Sequence, residues 1–210
     1  MRKGFTRAAG LMLACGMLVS ATGCGEQETV MTTININKDG SIGHTIMEPF
    51  ETGTDGNVEE LTNMIRKEIA ELPGEGITVE DAVLTEDGKV KVNMSFPDMK
   101  AFHDYNNIET TEDSVFFYGT VEECVAAGFD LNSITVYENG HPSGKTLTGE
   151  AIREHGSWHI LIYDNAMNNY DPVEIRMYEK IHYATAGVNT DGKNAFVSSD
   201  IATWICLLGQ

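Results

Sequence analysis

The sequence predicts an α+β fold: antiparallel sheets of hairpins with short helices packed on one face. Three observations predict it. Alternating apolar residues flank Asp39-Gly40 and again Asp87-Gly88, the pattern of a hairpin whose turn needs a residue at positive φ. Cap residues stand just ahead of helical periodicity, Asn57 with Glu60 and Thr120 with Glu123. The remaining apolar runs have the length of strands and fall short of the about 20 residues that span a bilayer as a helix.

Taken in order, Val30, Thr32, Ile34 and Ile36 alternate into the turn Lys38-Asp39-Gly40-Ser41, and Ile42, His44, Ile46 and Glu48 alternate out of it. After the loop Thr52–Gly56, the residues Val58, Leu61, Met64, Ile65, Ile69 and Leu72 share one helical face, and Pro73-Gly74 ends that helix. A second hairpin joins Ile77–Thr85 to Lys89–Phe96 around Glu86-Asp87-Gly88, and Pro97-Asp98 opens a short helix with Met99, Phe102 and Tyr105. The polar run Asn106–Ser114 reads as a seam. Beyond it come a strand at Val115–Tyr118, a capped helix through Ala127 stopped by Gly128, and a strand at Ile134–Tyr137. A loop over Glu138–Thr148, a helical turn over Gly149–Glu154 and an apolar strand over Trp158–Tyr163 follow. Asn165–Asp171 is a polar loop. Val173, Ile175, Met177, Ile181 and Tyr183 then alternate against Glu174, Arg176, Lys180 and His182, which predicts one long half-buried strand. Asn194–Ser198 and Ile201–Leu208 close the chain as strands. The organisation expected is a signal over 1–23, a tether over 24–28, an N-terminal α+β domain over 29–106 and a C-terminal β-rich α+β domain over 115–210.

The first residues carry the strongest functional signal. Arg2, Lys3 and Arg7 precede an apolar run from Ala8 to Val19, and small residues lead to Cys24. This is the layout of an export signal that is removed. The chain has 14 Lys and Arg against 32 Asp and Glu, a formal charge of -18. Removal of 1–23 takes three cations and no acid, leaving -21. Such a surface repels polyanions, which argues against nucleic acid as a partner. It suits a solvated surface, a basic partner or loose binding of divalent cations. Of four cysteines, Cys15 leaves with the signal, and Cys124 and Cys206 are expected as separately buried thiols, with a single bridge as the alternative.

Ala21-Thr22-Gly23-Cys24 resembles the bacterial lipobox, in which the cysteine thiol takes a diacylglyceryl group and a peptidase then cuts just before it. Two readings compete here: lipidation of Cys24, or an ordinary small-x-small cleavage site with plain secretion. Met12-Leu13-Ala14-Cys15 is a weaker box inside the apolar core. The lipobox followed by the Asn37-Lys38-Asp39-Gly40-Ser41 hairpin, helix and second hairpin resembles uncharacterised Gram-positive surface lipoproteins, and the opening is distantly similar to the LppM-like lipoprotein domain. Gly119–Glu123, Ala126–Asp130 and Tyr178–Tyr183 resemble the same group. The resemblance implies a cell-surface lipoprotein of α+β fold with no defined activity, and Cys24 as the functional residue.

Several fragments imitate known sites. Gly144-Lys145-Thr146 has the end of a phosphate-binding loop, but Asn139 stands where its first glycine belongs. Asn35, Asn37, Asp39 and Gly40 alternate oxygens as a calcium loop does, but Ile46 holds the position of its bidentate carboxylate, so the hairpin is the better account. Asp164, Asn165, Asn168, Asn169 and Asp171 form a second oxygen-rich loop. His155 and His159 are four apart, but Gly156 and Ser157 break a helix, and on a strand that spacing separates them by about 13 Å. His44, His103, His141 and His182 are scattered. Gly140-His141-Pro142-Ser143-Gly144 lacks the spacing of a nucleophile elbow. The pairs Glu59-Glu60 and Glu122-Glu123 read as helix first turns stabilised by the dipole, and Glu112-Asp113 as no catalytic dyad on spacing alone. Tyr105, Phe116, Phe117, Tyr118, Trp158 and Trp204 serve either as core or as the lining of a sugar or peptide groove.

The reading is a lipid-anchored protein on the outer face of the cell membrane, binding or scaffolding a surface protein or ligand. No cofactor, metal site or catalytic residue is assigned. A hydrolase acting on cell wall or peptide through an acidic site is the alternative.

Overall fold

A computed structural model describes residues 31–53, 56–72, 76–106, 116–164, 171–201 and 203–209. It holds two mostly antiparallel sheets and four short helices, an α+β fold dominated by strands.

The first hairpin pairs β1 (Thr33–Ile36) with β2 (Ile42–Pro49). Its turn closes because Gly40 takes φ 83° and Asp39 Oδ1 accepts from both the amide and hydroxyl of Ser41. Helix α1 (Val58–Glu71) starts where Asn57 Oδ1 accepts from the amide of Glu60 at 2.9 Å. Leu61, Thr62 and Ile65 are its buried residues, whereas Met64, expected on the apolar face, is 49% exposed.

The strand expected over 77–85 is broken into β3 (Thr78–Val79) and β4 (Val83–Leu84), both paired with β5 (Lys89–Phe96). The register moves by one residue between Val79↔Met94 and Val83↔Lys91. In the gap the buried amide of Ala82 turns to Thr62 Oγ1 of α1 at 3.0 Å, so a helix side chain replaces a missing ladder bond. Helix α2 (Met99–Asn106) follows, with Asp98 Oδ1 accepting from the amide of Ala101 at 2.8 Å.

The second half runs β6 (Phe116–Thr120), α3 (Val121–Ala126), β7 (Thr135–Glu138), β8 (Thr146–Thr148), α4 (Gly149–Arg153) and β9 (His159–Asp164). Thr120 and Glu123 make the expected reciprocal capping box. The segment expected as a loop over 138–148 ends in β8, which pairs with β7. Then come β10 (Val173–Met177), β11 (Ile181–Ala184), β12 (Asn189–Asp191), β13 (Asn194–Val197) and β14 (Thr203–Leu208).

The first sheet has the order β12-β13-β10-β1-β2-β5-β3, with β4 also on β5, and β1 and β10 are parallel. The second has the order β6-β9-β14-β11-β7-β8, which puts the closing strand β14 near its centre. The long strand expected over Val173–Tyr183 is therefore two strands in two sheets, with Tyr178–Lys180 making the step between them. The alternation hides this because Val173, Ile175, Met177 and Ile181 all face one apolar cluster shared by both sheets. A register shift between Ile181 and Tyr183 then turns Tyr183 toward the second cluster. The expected seam over Asn106–Ser114 begins on the last residue of α2 and otherwise lies outside the described residues, and the first sheet takes strands from both sides of it.

The first cluster joins the inner faces of the two sheets to Leu61 and Ile65 of α1 and Phe102 of α2. The second lies on the other side of the second sheet, under Val121 and Cys124 of α3 and Ile152 of α4. Full burial of an aromatic such as Phe96, Phe102, Phe116, Tyr163 or Trp204 contributes about 1.5–3 kcal/mol each.

Candidate functional site

Cys24, the residue with a chemical role assigned from sequence, lies outside the described residues, as do the tether, Glu112-Asp113 and Asn165–Asn169. The other expected positions are dispersed. Asn35, Asn37 and Asp39 serve the β1–β2 hairpin. The two Ser41 hydrogen bonds, side chain first, hold the Asp39 carboxyl below its ordinary range. Gly144, Lys145 and Thr146 form the β7–β8 hairpin, where the amide of Glu138 donates to the Lys145 carbonyl at 2.8 Å.

His155 and His159 turn to different neighbours. His155 stacks on Trp158 at 3.9 Å between centroids, and His159 stacks on Tyr118 at 5.5 Å. Tyr178 Oη lies 3.3 Å from His159 Nδ1 and completes a half-buried group with Tyr118 where the chain steps between the sheets. Burial raises the Tyr118 hydroxyl, helped by Tyr178. No group of three or more His, Cys, Asp or Glu able to hold a metal occurs among the described residues.

Cys124 and Cys206 are separate buried free thiols. Burial pushes Cys124 up to about 11 and raises Cys206 as well, the opposite of nucleophile activation. Glu59 and Glu60, and Glu122 and Glu123, occupy first turns of α1 and α3. Phe116 and Trp204 are core, and Phe117 packs on Phe129 at 5.0 Å. Trp158 is partly buried against the second cluster, and Tyr105 against the first.

What the tertiary structure does assemble is a polar face on the outside of the first sheet. Inward positions of β5 are buried and outward ones are not, so alternation along each strand sorts the face. Cross-strand register places Phe196, Glu174, Thr33, Thr45 and Asn93 in one row, and Asn194, Arg176, Asn35, Gly43 and Ser95 in the next. Thr45 Oγ1 donates to Asn93 Oδ1 at 3.0 Å, and Asn93 Nδ2 donates to Glu80 Oε2 at 2.8 Å. Arg176 Nη2 donates to Glu174 Oε2 at 2.7 Å, a half-buried pair. A Cβ on Gly43 would come within 3.3 Å of the Asn35 amide nitrogen, so glycine leaves room for that side chain over the strand. Apart from the buried Thr33, these residues keep partial or full exposure and belong to neither apolar cluster. Phe196, 38% exposed, ends one row. Such an array offers hydroxyl, amide and carboxylate groups about 4.8 Å apart along each row, with an aromatic edge.

Sequence alternation announces Glu174 and Arg176 as outward. It does not reveal that β1, β2 and β5 lie beside them. A smaller hollow of ≈ 250 Å³ lies between α3 and α4, lined by Val121, Glu122, Val125, Arg153 and Gly156. Its Arg153 is held by Asn132 at 2.6 Å and Asp130 at 3.7 Å.

No protein-family model matches this chain, no curated protein matches it, and no solved structure matches it.

Proposed function

We propose that the protein is lipid-anchored through Cys24 on the outer face of the cell membrane and binds a surface protein or ligand there. The observation that carries the reading is the sequence of cations, short apolar run and small residues ending at Cys24. Diacylation and a further acyl chain hold a protein on a bilayer, where one chain binds only marginally. The few residues between Cys24 and Thr33 reach at most about 30 Å when fully extended, so the domain stays near the membrane.

A binding role is supported by the arrangement of the faces. The helices occupy one face of each sheet, and the other face of the first sheet carries the polar rows. The acidic surface disfavours nucleic acid and other polyanions as the partner. The alternative hydrolase needs convergent carboxylates with perturbed values; Glu48, raised by burial and by nearby Asp171 but lowered by Lys89, is the one described group that would bear on it, and Glu68 has Glu71 beside it.

Metabolic labelling with a tagged palmitate tests the anchor. Wild type takes the label, and Cys24→Ala loses it and leaves the membrane fraction; undiminished label on the variant overturns the anchor. Proximity labelling from the anchored protein tests the face. Partners captured by wild type are lost from an Asn35→Ala/Asn93→Ala variant if the polar rows bind, and an unchanged capture set removes them from the reading.

A further inference from the structure

Helix α2 joins the two sheets through one side chain. Phe102, fully buried, meets Phe96 of β5 at 5.0 Å and His44 of β2 at 5.5 Å between ring centroids. On its other side it meets Phe116 of β6 at 5.2 Å, and Phe116 meets Tyr163 of β9 at 5.9 Å. The next residue of the helix, His103, adds a second tie: its Nε2 lies 2.6 Å from the carbonyl oxygen of Phe116. Tyr105 of the helix also meets Phe96, at 5.7 Å, so histidines take part in two of its contacts rather than all of them.

His44 is chemically out of place. It occupies an inward position of β2 between Ile34 and Met94, and its Nδ1 is buried without a hydrogen-bond partner. A phenyl ring in the same edge-on contact would avoid that desolvation cost.

We infer that α2 is an acid-released clamp: protonation of His44 beneath the helix detaches Phe102 and opens the aromatic junction between the sheets. At neutral pH the junction is closed, and in acid it presents Phe96, Phe102 and Phe116 as apolar surface.

The charges around the helix do not oppose release. Burial alone holds His44 down to about 4, its flanking strand neighbours being Ile34 and Met94 and the helix presenting Phe102. His103 is also held below its ordinary value, by burial first, although the Phe116 carbonyl and Asp104 favour its charged form. Lys100 is paired with Asp104 at 2.5 Å, and Asp98 accepts the Ala101 amide. Glu68 of α1, which acts on Tyr105, has a carboxyl raised by burial and then by Glu71. A value lower when docked than when free means that the released state binds the proton more tightly. Release is therefore favoured as pH falls through the window from about 6.5 to about 4. For His44 alone the open-to-closed ratio rises about 50-fold between about pH 7 and about pH 4.5.

Hydrogen exchange on the intact protein, corrected for the intrinsic effect of pH, tests this. Protection of residues 99–106 is expected to fall by about 50-fold over that range while β9 and β14 keep theirs. His44→Phe is expected to flatten the dependence, whereas His103→Gln, which keeps a donor for the Phe116 carbonyl, is expected to leave it in place. Loss of protection in all strands together, or a His44→Phe profile equal to wild type, overturns the clamp. Should that variant not fold, NMR titration of the wild-type His44 ring decides: titration well below 6.5 supports the clamp, and titration at or above 6.5 overturns it.

Discussion

At the residue scale, two positions carry more than their size suggests. Thr62 Oγ1 donates to the Val58 carbonyl at 2.8 Å and accepts from the buried Ala82 amide at 3.0 Å. Thr62→Val keeps the shape and removes the acceptor, so the amide is stranded. A loss of about 1–3 kcal/mol is expected in urea unfolding, against nearly none if water reaches Ala82. Gly149 sits where the backbone of Leu131 and Asn132 occupies the space of a Cβ. Backbone cannot yield as a side chain end can. Gly149→Ala is therefore expected to cost at least about 3 kcal/mol, and a wild-type melting curve would contradict the packing of α4 on this turn.

At the scale of elements, α3 is the clearest case of local chemistry with a pH signature. Glu123 Oε2 accepts from the Thr120 amide at 2.7 Å and its hydroxyl at 3.0 Å, which holds the carboxyl below its ordinary range. The lowered value means that the cap stabilises the fold above the free carboxyl range and loses that contribution as pH falls through the folded value. Thr120→Ala is expected to cost about 1 kcal/mol near neutrality and less in acid, read by thermal unfolding across pH. A cost that grows on acidification would contradict the box. The helix ends at Gly128, with φ 92°, a conformation open to glycine.

For the whole molecule, electrostatics work against compactness. The charge of -18 outweighs its counterions, and ion pairs such as Arg66–Asp81 and Lys100–Asp104 are mostly solvated and contribute little. Glu48 adds to the strain, its carboxyl raised by burial and then by Asp171. Its ionisation is penalised in the fold, so its stabilising influence is present in acid and lost as pH rises. Moderate salt is expected to stabilise the protein by about 1 kcal/mol, or roughly 2–4 °C in Tm, through screening of net repulsion. A Tm that falls with salt would mean that surface attraction outweighs it.

Much of the local structure was legible before any coordinates. The turns at Asp39-Gly40 and Asp87-Gly88, the caps at Asn57 and Thr120 and the alternation of β2 and β5 depend on a residue and its near neighbours, through allowed φ, short side-chain reach and the period of the strand. The proposed role of Cys24 likewise rests on a short motif of neighbours. Partner choice is not. The parallel pairing of β1 with β10, the step of the chain between sheets at Tyr178–Lys180 and the near-central place of β14 depend on residues distant in sequence finding one shared interior. An alternating strand buries its inward side equally well in either sheet when both sheets enclose the same core, so its pattern cannot say which. The polar rows and the His44–Phe102–Phe116 junction arise from that choice alone. By itself the sequence determined the turns, the caps and the acidic composition; the tertiary structure decided which strands are neighbours, because burial rewards any consistent partner and only the complete packing selects one.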